Sequence, residues 1–297
     1  MMHRLELVFA LFLAGVALPG HAALPSGLAS EVTITSLDAT PIKAWLFQPK
    51  DTFMAGSVAK KGTVIALHGC GGLYATGGPN KGQLNARHQA MADLLVAEGY
   101  NVVFPDSLTA RGETSLCAKP PGSRDINQRE RRADALGTLA WVAQQPWADA
   151  GRVAVLGWSH GASAVLAATD GSNKLVKKQV LIFKTAIAFY PGCAESRKND
   201  YRPNTALTLF LGADDDWTPP IPCAELARQL QADQLPVELH VFDGAAHDFD
   251  NPAGGVVERK NIPSRLHPGR GVMAGAHPAA REMAYKRLKV ILKDALQ

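Results

Sequence analysis

Beyond its first two dozen residues the sequence has no run approaching the ~18 consecutive apolar residues of a membrane-spanning helix. It has no internal repeat, no low-complexity linker and no Cys-x-x-Cys pair. Its four cysteines, Cys70, Cys117, Cys193 and Cys223, are spaced too widely to read as zinc ligands. Charge of one sign is not concentrated anywhere. Lys and Arg total 31 against 27 Asp and Glu, and the resulting net charge of +4 is spread along the chain. The densest basic run, Gln128 to Arg132, contains Glu130 and heads a predicted helix, so it reads as a solvated helix face rather than a nucleic-acid patch. These absences argue against a repeat array, a zinc module, a nucleic-acid binder and an integral membrane protein. Nothing in the sequence calls for a metal or an organic cofactor. What is there is an ordinary globular composition, 46% hydrophobic and 20% charged over 297 residues.

The apolar residues at the N-terminus have the form of a targeting segment. Arg4 supplies a positive start, Leu7 to Leu18 an apolar stretch too short to span comfortably, and His21-Ala22-Ala23 a small-residue cleavage site. A signal peptide over residues 1–22 is expected, with cleavage after Ala23 as the second choice. The rest, 23–297, would then be periplasmic or secreted, with no membrane association after cleavage. In an oxidising compartment an even number of cysteines implies disulfides, and four cysteines allow three pairings. Cys70–Cys117 and Cys193–Cys223 are preferred, because the members of each pair follow strands expected to be neighbours.

Hydrophobic periodicity divides the chain into strands and helices. Glu31 to Ser36 and Ile42 to Phe47 alternate as a half-exposed hairpin around Asp38-Ala39-Thr40-Pro41. Strands at Thr63 to His68, Asn101 to Phe104, Val153 to Leu156, Thr185 to Tyr190, Leu207 to Leu211 and Val237 to Phe242 then follow. Helices are predicted over Gln83 to Glu98, Arg124 to Gln145, Ser163 onward, Cys223 to Gln234 and Pro278 to Leu296. About eight strands, two antiparallel and the rest parallel, with helices on both faces make a single α/β domain. Asn251 to His277, rich in Gly and Pro, shows no periodicity and is expected to be a surface excursion near the site.

The chemistry centres on Gly157-Trp158-Ser159-His160-Gly161, which sits between a buried strand and a small-residue helix. A Gly-x-Ser-x-Gly turn in that context lifts the serine hydroxyl clear of the sheet above a helix N-terminus, where a developing anion is favoured. A serine nucleophile needs a base and a carboxylate, and in a fold with this strand–turn–helix nucleophile they are expected in the chain order serine, acid, histidine. The loop Gly212-Ala213-Asp214-Asp215-Asp216-Trp217-Thr218-Pro219 offers three adjacent acids. Asp215 is chosen, and Asp214 and Asp216 are expected to cap the turn or face solvent. Beyond the last strand, Asp243-Gly244-Ala245-Ala246-His247 places His247 as the base. Among the other histidines, His88 and His240 read as packing or surface residues, while His267 and His277 are possible pocket residues. The backbone N–H of His160 and that of Cys70, in His68-Gly69-Cys70-Gly71-Gly72, would form an oxyanion hole, with Gly71 as the alternative second donor. Trp158, Trp217 and Arg111 are candidates to shape the substrate pocket, although Arg111 reads more readily as a loop brace.

The segments LHGCGG, PDSLTARG, GWSHG, YPGC, LGADDDWTPP and DGAAHDF together resemble the dienelactone hydrolase family of the α/β-hydrolase superfamily, closest to exported members with a serine nucleophile. The resemblance covers essentially the whole chain after the leader. It implies an eight-stranded α/β-hydrolase sheet, hydrolysis of a small-molecule ester or lactone through an acyl-enzyme, and Ser159, Asp215 and His247 as the triad. Dienelactone hydrolases proper carry cysteine where this chain has Ser159, so a broader carboxylic-ester substrate is expected. A serine peptidase of the same fold and a noncatalytic binding protein on a hydrolase scaffold are the rival readings.

Overall fold

The computed structural model describes residues 27–50, 60–264 and 266–297. The expected leader lies outside the described residues. Strand β1 (Gly27–Thr35) and β2 (Pro41–Pro49) form the hairpin, and β3 (Lys61–Leu67), α1 (Ala86–Ala97) and β4 (Asn101–Pro105) begin the alternation. Then come α2 (Gln128–Ala143), β5 (Ala148–Trp158), α3 (His160–Ala168), the short α4 (Lys174–Lys177) and β6 (Thr185–Phe189). The chain continues through α5 (Ala194–Lys198), β7 (Ala206–Gly212), α6 (Ile221–Ala232) and β8 (Val237–Phe242). A separate hairpin, β9 (Val257–Pro263) with β10 (Gly271–Ala274), precedes α7 (Pro278–Leu296).

Eight strands form one sheet in the order β1-β2-β4-β3-β5-β6-β7-β8. β1 pairs antiparallel with β2 and β2 with β4; every later pairing is parallel. Parallel strands need both faces covered, and β5 shows how the sequence achieves this. Val153 and Val155 join the core under α2, α3 and α6, while Ala154, Leu156 and Trp158 join the core under α1 and α7. The strand therefore reads as an unbroken apolar run, although its side chains alternate between two different cores.

Two differences from the sequence-based expectation have clear physical causes. α2 starts at Gln128 rather than Arg124, because Asn127 caps it: its side chain accepts the Arg129 N–H while Glu130 reaches back to the Asn127 N–H. Asn251 to His277 contains the β9–β10 hairpin. β9 is mostly exposed, so neither a helical nor an alternating apolar pattern marks it.

Candidate active site

The turn after β5 puts Ser159 at φ 52° and ψ −116°, a backbone region that a non-glycine residue occupies only when its surroundings hold it there. The turn is held by the Ser159 N–H, which donates to the Phe189 carbonyl at 2.9 Å, and by close packing of its glycines. A Cβ on Gly157 would lie 2.5 Å from the Gly161 oxygen, and one on Gly161 only 2.0 Å from the Leu67 oxygen. Both positions therefore exclude a side chain, for reasons of space.

His247 stands on the loop after β8, and its ring is almost fully buried, at 3% exposure. Its Nε2 lies 3.0 Å from Ser159 Oγ, and its Nδ1 lies 2.7 Å from Asp215 Oδ2. Three residues from three separate loops thus meet in one hydrogen-bonded line at the carboxyl edge of the sheet. Asp215 is itself oriented. Its Oδ1 accepts the N–H groups of Trp217 (2.9 Å) and Thr218 (2.8 Å), and the Thr218 hydroxyl lies 2.9 Å from its Oδ2. The same hydroxyl is 3.0 Å from the Tyr190 carbonyl and 3.1 Å from His247 Nδ1. The imidazole packs against the tilted rings of Tyr190 and Trp217, each with its centroid 4.6 Å away. The loop position of His247 is fixed from outside by the Gly275 N–H, which donates to the His247 carbonyl at 2.8 Å.

The N–H of His160 is the first of α3 and has no partner four residues back within the helix. Facing it, the Gly69-Cys70-Gly71 turn is shaped by the Gly72 N–H donating to the Gly69 carbonyl. His68 braces that turn. Its Nδ1 lies 2.8 Å from the Gly69 carbonyl and its Nε2 accepts the Ser107 N–H at 3.3 Å. Burial, reinforced by the nearby Arg131, holds the His68 pKa well below the ordinary histidine value, so the ring is neutral.

The cleft over Ser159 encloses about 880 Å³, and its walls include Cys70, Cys117, His160, Trp217 and Ile262. Disulfides join Cys70 to Cys117 and Cys193 to Cys223, and all but Cys223 face the cleft. Each bridge connects segments that follow adjacent strands: Cys70 and Cys117 lie in the loops after β3 and β4, Cys193 caps α5 after β6, and Cys223 lies in α6 after β7.

Several expected roles are corrected. Trp158 does not line the cleft: it is fully buried beneath the turn, and its indole N–H donates to Asp250 at 2.7 Å. Arg111 does not line it either; the guanidinium forks onto both oxygens of Asp134 at 2.9 and 2.8 Å and also holds Asp38. Asp214 is exposed as expected, but Asp216 is neither solvated nor a turn cap. It is buried and accepts the Ser264 hydroxyl (2.9 Å) and the Met273 N–H (2.8 Å), fastening the β9–β10 hairpin beside the cleft. His277 caps α7 by accepting the Ala280 N–H, and neither it nor His267 faces the cleft. In the basic run, Arg131 has no exposed surface, because the run turns one of its residues inward against α3. Thr218, Tyr190 and Asp250 are missing from the sequence-based site. Thr218 alone had a local signal, lying three residues after Asp215 as hydroxyl residues do in Asx-type turns.

Sheet order, turn and hydrogen-bonded residues together define an α/β-hydrolase. The chain belongs to the Dienelactone hydrolase family, which it matches over residues 53–296. Similar solved structures include the dienelactone hydrolase-like promiscuous phosphotriesterase P91 from metagenomic libraries, at 16% identity and TM-score 0.66, covering 92% of this chain and all of that one. The thermophilic esterase Est2 of Thermogutta terrifontis aligns at 16% identity and TM-score 0.59, over 89% of this chain and 92% of its own. Dipeptidyl peptidase 4 of Porphyromonas gingivalis aligns at 17% identity and TM-score 0.59, over 91% of this chain and 36% of its own. At these identities the likeness establishes the fold. No curated protein matches the sequence.

Proposed function

We propose that the protein is an exported serine hydrolase that cleaves carboxylic esters or lactones through an acyl-enzyme. The observation that carries this reading is the line from Asp215 Oδ2 to His247 Nδ1 (2.7 Å) and from His247 Nε2 to Ser159 Oγ (3.0 Å). His247 takes the serine proton as Oγ attacks the carbonyl, and Asp215 holds the ring in the required tautomer and supports its charged form. The N–H groups of His160 and Cys70 receive the oxyanion. His247 then protonates the leaving alcohol and activates water for deacylation. No step requires a metal or an organic cofactor. Export to the periplasm or medium fits the leader and the two disulfides.

The test is a panel of p-nitrophenyl esters, lactones and peptide amides assayed beside Ser159→Ala, with mass spectrometry after treatment with an organophosphonate. Turnover of esters or lactones and a single adduct on the Ser159 peptide are expected, both lost in the variant. Amide cleavage without ester cleavage would favour a peptidase. Activity that survives Ser159→Ala would overturn the mechanism.

A further inference from the structure

Arg131, on α2, is wholly buried, yet no carboxylate of the described residues lies within ion-pair distance of it. The two nearest acids are committed elsewhere. Asp134 is held on both oxygens by Arg111, and Asp106 accepts the Leu108 and Thr109 N–H groups and the Thr109 hydroxyl. Arg131 Nε has no partner at all. The guanidinium makes two contacts. Nη2 donates to the His68 carbonyl at 2.8 Å, and Nη1 donates to His160 Nδ1 at 3.2 Å. Asp134 and Asp106 attract the guanidinium from beyond ion-pair distance, but a buried cation with no direct carboxylate partner is costly to folding, and a well-packed apolar side chain of similar size would not be. A purely structural role therefore leaves its presence unexplained.

Its two partners point to the explanation. His68 leads directly into Gly69-Cys70, and His160 follows Ser159; these are the two backbone arms on which the reading of the site as an oxyanion hole rests. We propose that Arg131 is a positioning residue that ties both arms of the oxyanion hole together from below and adds a fixed positive charge behind them. Because a guanidinium only donates, the Nη1 contact requires an unprotonated Nδ1 on His160 and so places that ring's proton on Nε2. Burial, followed by the charge of Arg131, holds the His160 pKa well below the ordinary value, so the ring stays neutral. Burial also pulls the pKa of Arg131 down to about 10, which leaves the guanidinium charged at neutral pH. A donor pair held rigidly in a buried, positive setting stabilises charge that appears only in the transition state. The ground-state ester gains little from it. Loss of Arg131 should therefore lower kcat and leave KM nearly unchanged.

The experiment measures kcat and KM for a p-nitrophenyl ester and for its thiono counterpart, in wild type, Arg131→Met and Arg131→Lys. Turnover is normalised to the serine titrated by an organophosphonate. Sulfur accepts hydrogen bonds poorly, so the ester-to-thionoester preference reports on the oxyanion hole itself, which a general loss of stability would not change. Arg131→Met should lose about 10²-fold in kcat per titrated serine with KM within about threefold, and about tenfold of the oxygen preference. Arg131→Lys keeps the charge but can reach only one of the two partners, and should fall between. A Met variant that keeps its normalised kcat and its oxygen preference would overturn the proposal, whatever its melting temperature. If Arg131→Met does not fold, the Lys variant decides by the same ratio, and an unchanged preference there also overturns it. Failure of the serine-hydrolase reading would look different: the wild-type enzyme would carry no adduct on Ser159.

Discussion

Three consecutive aspartates, Asp214, Asp215 and Asp216, meet three different fates, and the differences set their expected phenotypes. Asp215 touches His247, so Asp215→Asn should reduce kcat by about 10⁴-fold with the circular-dichroism spectrum unchanged. Asp214 is exposed, and Asp214→Asn should stay within about threefold of wild type, as surface substitutions away from special contacts do. Asp216 holds the hairpin through Ser264 and Met273. Asp216→Asn should therefore raise KM more than it lowers kcat, because the wall of the cleft loosens while the reacting groups stay in line. Steady-state kinetics on the three variants checks all of this. A large kcat loss in Asp216→Asn with Asp215→Asn active would mean that the carboxylate partner of His247 has been misassigned.

At the level of elements, the serine turn leaves the least room for change. Gly161→Ala would drive a Cβ against the Leu67 and His68 carbonyls at 2.0 and 2.4 Å, and those belong to the end of β3 and the start of the Cys70 turn. The variant should either fail to fold or lose organophosphonate labelling, and a soluble variant labelled at the wild-type rate would contradict this geometry. The two disulfides tie the segments that connect the strands, one of them from within α6, rather than the core strands themselves. They close spans of 47 and 30 residues, for which chain entropy suggests about 4 kcal/mol of stabilisation each. Cys193→Ser/Cys223→Ser should lower the urea midpoint and leave kcat nearly intact. Cys70→Ser/Cys117→Ser should lower both, because Cys70 also supplies a candidate oxyanion donor. Equal kcat losses in the two double variants would count against that donor assignment.

For the molecule as a whole, three buried histidines set the response to acid. His68, His88 and His160 all have pKa values held well below 6.5, in each case by burial first and then by nearby arginine charge. The unfolded chain binds these protons at a pKa near 6.5 and the folded protein does not. Their contribution to stability is therefore complete above about pH 6.5 and is lost as the pH falls below it. Each contributes a slope approaching about 1.4 kcal/mol per pH unit in that window. Urea unfolding from pH 7.5 to pH 5 should show a steep decline, and His88→Gln should make it shallower by about a third. A pH-independent midpoint over that range would mean that these rings titrate normally in the folded state.

Local pattern was enough to determine a good deal. The buried run Val153 to Leu156, the two glycines and the small residues after Ser159 specify strand, turn and helix within a dozen positions, because backbone sterics and side-chain volume act over that range. The alternation of strands and helices was legible for the same reason. It implied a mostly parallel sheet whose carboxyl edge gathers the loops that carry the candidate serine, acid and histidine. What lay beyond local pattern were side chains whose partners are distant in sequence. Arg131 and Arg111 both lie near charged or polar neighbours. Yet one is buried against His68 and His160 with no carboxylate in direct contact, while the other is locked onto Asp134 and Asp38. Trp158 follows a glycine in the serine turn but faces downward to Asp250, 92 residues away. Asp216 differs from Asp214 only in meeting a hairpin that carries no periodic signal of its own. In each case the sequence specifies the group and its local backbone. Only the packing of one layer on another decides whether that group faces water, a ligand or a buried partner.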